Sequence, residues 1–72
     1  MTPRRADVVR RTWRVGRFTA TLTVHRLATG RLVSAPTDWE PHEPKRWGRC
    51  MQAQWLAGLS MFVAACNARW GR

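Results

Sequence analysis

The spacing of apolar residues changes its period once along this chain, near Pro44. Before that point apolar and polar residues alternate; after it, apolar residues recur every three or four positions. Alternation marks a half-buried strand and the longer period an amphipathic helix, so the chain reads as a sheet followed by a helix. Phe18, Ala20, Leu22 and Val24 share one strand face, and Thr19, Thr21, Thr23 and His25 share the other. Upstream, Val9, Trp13 and Val15 alternate with Val8, Arg10, Thr12 and Arg14. Between the two runs lies Val15-Gly16-Arg17-Phe18, and a glycine first of two central residues suits a type II′ hairpin turn. Pairing Val15 with Phe18 sets Trp13 opposite Ala20 and Val9 opposite Val24. All these residues then fall on the apolar face, so turn chemistry and hydrophobic pattern agree on one register. One long strand bent at Gly16, with the residues before it loose, is the alternative.

Leu27-Ala28-Thr29-Gly30 reads as a second turn and Arg31–Ala35 as a short third strand, ended by Pro36. Residues 36–46 hold three of the four prolines and read as a loop. Trp47, Met51, Trp55, Leu59, Phe62, Cys66 and Trp70 then form a helical stripe spanning an arc of about 140°. Pro44 suits a first-turn position and Gly71 the end. The expected architecture is an α+β domain: a two- or three-stranded antiparallel meander followed by one long C-terminal helix packed on its apolar face. Its parts are a flexible basic arm over residues 1–7, strands over 8–35, a Pro-rich acidic loop over 36–46 and a helix over 47–70.

Seventy-two residues make one small domain, which buries only about 60% of its unfolded surface. A second copy or a bound partner adds stability to so small a core. Thirteen Lys and Arg against four Asp and Glu leave a formal charge of +9. Twelve of the thirteen are Arg, alongside nine Ala and no Tyr. GC-rich codon usage favours that composition, so Arg over Lys carries little chemical meaning. The net charge does carry meaning, because the same codons supply Asp and Glu as readily. It points to an anionic partner.

Charge is also segregated. Residues 1–31 carry +7, residues 38–43 carry −3 and the rest carry +5. The non-core hairpin face therefore presents Arg10, Arg14, Thr19, Thr21, Thr23 and His25. Arg17 stands at the turn, and Arg4 and Arg5 on the arm. These residues are the expected contacts to nucleic acid or another acidic partner, since such ribbons contact phosphates and can enter a major groove. No aromatic residue falls on that face, which argues against a platform for stacking single-stranded bases.

Other chemistry finds less support. Asp38, Glu40, His42 and Glu43 lie in a segment that Pro41 and Pro44 hold extended, so they do not converge as metal ligands must. They read as an electrostatic latch: the loop pairs with nearby Arg, Trp39 packs under the sheet, and Glu43 meets the helix N-terminus. Cys50 and Cys66 are ~24 Å apart on one straight helix, too far for a disulfide. No phosphate loop, catalytic triad or zinc spacing is present. The reading is a protein with no catalytic residue, no metal and no cofactor. Met51–Cys66 is the most apolar stretch, 16 residues interrupted by Gln52, Gln54 and Ser60. A bilayer span needs about 20, so no transmembrane segment is expected and a cytoplasmic location is. Peripheral membrane binding by the basic arm and the Trp residues is a further reading.

Behind the stripe the helix offers Ala53, Ala57, Ser60 and Ala64, with Leu56 and Val63 at the margin. Either this is an Ala-rich solvated face, or it packs against a second helix, making the chain a structural subunit or homodimer. The segment from Leu32 through Ser34-Ala35-Pro36-Thr37-Asp38-Trp39-Glu40-Pro41-His42-Glu43 to Trp47, with the helix after it, resembles short phage and mobile-element proteins of GC-rich bacteria, anti-CRISPR proteins among them. That resemblance spans about half the chain and implies a single small domain that binds and blocks host nucleic-acid machinery without catalysis.

Overall fold

The computed structural model describes residues 7–71. Strand β1 (Asp7–Val15) and strand β2 (Phe18–Arg26) form an antiparallel hairpin. Its register sets Val15 opposite Phe18, Trp13 opposite Ala20 and Val9 opposite Val24, as the alternation predicts. Gly16 has φ +63° and no described non-glycine residue has positive φ. A positive φ at the first central position alone is the type II′ pattern, and the bent single strand is excluded.

Strand β3 (Leu32–Ser34) pairs antiparallel with Val24–Arg26, and strand β4 (Asp38–Glu40) pairs antiparallel with Thr19–Thr21. Both therefore lie along the same edge of β2, end to end, as one broken strand. Between them the Ala35 N–H donates to the Thr23 carbonyl at 3.0 Å, which carries the ladder up to Pro36. The expected loop over 36–46 thus contains a strand. Its alternation spans only Asp38-Trp39-Glu40, too short to register as a period, but it turns Trp39 inward opposite Ala20. Asp7, expected at the end of the arm, instead opens β1; residues 1–6 lie outside the described residues.

Helix α1 (Arg49–Trp70) follows, packed chiefly on β1. It starts two residues later than the stripe suggests. Gly48 is the extended N-cap, its carbonyl accepting from the Gln52 N–H at 3.0 Å. Trp47 therefore precedes the helix, and Pro44, expected in the first turn, lies well outside it, buried in the connection. At the far end the Gly71 N–H donates to the Asn67 carbonyl at 2.7 Å.

The core lies between the two layers. Val9, Leu22 and Phe62 form its buried cluster, with Trp13, Trp55, Leu59, Cys66 and Trp70 against it. Phe62 is the one buried residue of α1, worth about 1.5–3 kcal/mol of apolar transfer. Trp55 is the hub of a second cluster. Trp13, Trp39 and Trp47 surround it at ring-centroid distances of 5.2, 5.5 and 6.2 Å. Gly58 permits this arrangement, because a Cβ there would fall deep inside contact distance of the Trp13 indole.

Candidate nucleic-acid interface

The face of the sheet turned away from α1 is set by the hairpin register. Across β1 and β2 it pairs Arg10 with Thr23, Thr12 with Thr21 and Arg14 with Thr19. Two contacts confirm that these side chains share a face: Thr12 and Thr21 hydroxyls lie 2.9 Å apart, and Arg10 Nε donates to Thr23 Oγ1 at 3.4 Å. Thr23 is buried, so it steadies Arg10 and is no surface contact of its own, contrary to the sequence expectation. Thr19, Thr21 and His25 are half-buried; Arg10, Arg14 and Arg17 are exposed. Arg4 and Arg5 lie outside the described residues.

Two features of this surface do not follow from the sequence pattern alone. Arg11 falls on the helix side of β1, between Val9 and Trp13 and opposite Leu22. The alternation itself places a charge among apolar residues there, and an edge strand is what lets it escape to solvent. β1 is such an edge, and Arg11 is exposed. An inward-pointing charge on an edge also discourages another strand from pairing with it. The second feature is the acidic edge. Asp38 and Glu40 flank Thr21 and Thr19 on the same outer face. The face is therefore graded, with cations on β1, hydroxyls on β2 and carboxylates on β4.

Two strand spacings of ~4.8 Å separate cations from carboxylates, about one Debye length at physiological salt. Neither side neutralises the other strongly. Among the described residues the salt bridge is Arg69 with Asp7, so the expected latch of the acidic segment onto nearby Arg does not form. Glu43 makes no side-chain hydrogen bond to the helix among the described residues, and the first turn of α1 holds no acid of its own. His42 instead makes a 2.9 Å hydrogen bond with the Glu43 carbonyl, and its ring meets Phe18 edge-on at 5.2 Å. Eight exposed arginines and Lys45 thus stand without a carboxylate partner among the described residues.

The hairpin is backed by the helix along its length. At the turn the Gly16 N–H donates to Gln54 Oε1 at 2.6 Å. At the open end Asp7 accepts from Arg69 Nε and Trp70 Nε1, both at 2.6 Å. Those bonds, Arg69 first and Trp70 second, hold the Asp7 carboxyl below its ordinary range. A ribbon fixed in this way is not free to enter a major groove alone. Between β1 and the last turns of α1 runs an open groove of about 420 Å³, lined by Val8, Arg10, Arg11, Ala68 and Arg69 among others.

The remaining candidates are scattered. Cys50 is exposed; Cys66 is half-buried, its thiol pushed up by burial. Ala53, Ala57, Ser60 and Ala64 are all exposed on the outer face of α1. No described helix is long and apolar enough to cross a membrane. Four of the five Trp residues cluster, Trp39 stacked on Trp55 and the other pairs tilted or edge-on, with Trp47 still exposed. No protein-family model, curated protein or solved structure matches this chain.

Proposed function

We propose that this chain is a small non-enzymatic protein that binds the phosphate backbone of nucleic acid, alone or within a nucleoprotein complex, along the β1 edge. The observation that carries the reading is the set Arg10, Arg11, Arg14 and Arg17. All four are exposed on one strand and its turn, and none has a carboxylate partner among the described residues. Arg10 and Arg14 are four residues apart, ~13 Å along a strand, which spans about four phosphates of a duplex strand at 3.4 Å of axial rise each. Contacts of this kind position a protein without reading bases, so binding of low sequence preference is expected. The carboxylates on β4 set an orientation, because a phosphate chain laid over them is repelled. The resemblance to phage and mobile-element inhibitors supports a nucleoprotein machine of the host as the natural target.

The double variant Arg10→Glu, Arg14→Glu tests this directly. Both residues are exposed, so circular dichroism should remain that of the parent. Affinity for duplex DNA at moderate salt should fall about tenfold or more. A folded double variant that binds as tightly as the parent contradicts the assignment.

A further inference from the structure

We propose that the outer face of α1 is the interface of a homodimer, in which two copies pack helix to helix and the two sheets face outward. The inference stands on this face alone and does not depend on what the sheet binds. From Cys50 to Ala68 the helix carries no charged residue, nineteen positions in a chain that is 24% charged. The sheet covers only one side of it. On the other, Leu56 is 60% exposed and Val63 49%, while Met61, 73% exposed, lies on the flank toward Arg11 and Thr12. Large apolar residues held at the exposures of Leu56 and Val63, with no charge beside them on the helix, mark a surface that is covered in use.

The shape fits a helix. Leu56, Leu59, Ser60 and Val63 line a shallow depression of about 370 Å³. Their spacing of i, i+3, i+4 and i+7 is the four-residue hole that receives a side chain from a facing helix. Beside it Ala53 and Ala57 keep the surface low, so that a second backbone can approach closely. Area points the same way. A compact monomer of 8.3 kDa exposes about 4,600 Å², whereas this chain exposes 6048 Å².

Charge selects a second copy as the occupant. Nucleic acid finds no cation on this face, and a charged partner would bury its own charge against it unpaired. A second copy brings a face equally free of charge, and keeps Arg10 and Arg14 of both β1 strands on the far sides of the two sheets, with Arg11 at the exposed β1 edge, where their repulsion is screened.

Sedimentation equilibrium of the full chain at tens of micromolar tests the inference. The expected mass is twice 8.3 kDa. Ala57→Glu, at an exposed helical position that either state tolerates, should halve that mass while Trp fluorescence and circular dichroism stay those of the parent. Arg10→Glu with Arg14→Glu should leave the mass doubled. A parent chain that stays monomeric at about 100 µM overturns the proposal without any variant. So does a folded Ala57→Glu protein that remains dimeric, which would place the interface elsewhere.

Discussion

At Gly58 two residue-level effects oppose each other and their magnitudes decide the outcome. Alanine is worth about 1 kcal/mol more than glycine in a helix interior, so Gly58→Ala would stabilise an isolated helix. Here the added methyl would strike the Trp13 indole, and overpacking typically costs about 1–3 kcal/mol. Net destabilisation is expected, read as a lower urea midpoint; a raised midpoint would mean that Trp13 does not rest on the helix backbone. Asp7 gives a second test. Its carboxyl is held below the unfolded value by Arg69 and Trp70, so its contribution is complete above the unfolded pKa of about 3.9. That contribution is lost as pH falls through the lower folded value. Asp7→Asn should therefore melt below the parent at neutral pH, and the gap should close in acid. A gap independent of pH contradicts the clasp between β1 and the end of α1. Neither interaction was legible in the sequence, where Asp7 reads as part of an arm and nothing marks Gly58 as a contact.

Elements were legible where local chemistry and long-range pattern agreed. In the β1–β2 hairpin the alternation, Gly16 and the apolar pairings all require one register, and that register forms. Gly16→Ala tests the turn: φ +63° is unfavourable for an L side chain, and the new Cβ would lie 3.0 Å from Met51 Cγ. A loss of about 1–2 kcal/mol is expected for the backbone alone, lowering Tm by roughly 4–8 °C per kcal/mol in a domain of this size. An unchanged Tm would contradict the type II′ turn. Elements stayed hidden where the signal was short or non-local. Three residues of β4 carry no period, and their strand exists because β2 offers them an edge. The helix start is set by extended Gly48, whereas the Trp47 stripe reports only that Trp47 reaches the Trp cluster. Arg11 lies on the apolar face of the β1 alternation, and its meaning depends on knowing that β1 is an edge.

As a whole the molecule is a thin plate, 46 × 27 × 14 Å. Cations line the β1 edge, carboxylates the opposite edge of the outer face, and an uncharged helix surface covers the other side. Two such plates joined through α1 would present two β1 edges, and one dimer could hold two separate duplexes. Two duplexes carrying different fluorophores should then show energy transfer with the parent chain and none with Ala57→Glu, although each variant still binds a single duplex. Transfer that persists with the folded Ala57→Glu chain would detach bridging from the helix face. The net charge was legible from composition; its gradation across one face was not, because it depends on β4 joining the sheet.

The central claim is that Arg10, Arg11, Arg14 and Arg17 neutralise phosphates. Fluorescence anisotropy of a labelled duplex, titrated with nuclease-treated protein across a salt series, tests it most directly. Four phosphate contacts predict that log K falls with log salt at a slope near −3.6, and six, if Arg4 and Arg5 join, near −5.4. The Arg10→Glu, Arg14→Glu variant should flatten that slope by about one for each phosphate it no longer neutralises. No binding at moderate salt, or a slope that the double variant leaves unchanged, would contradict the account.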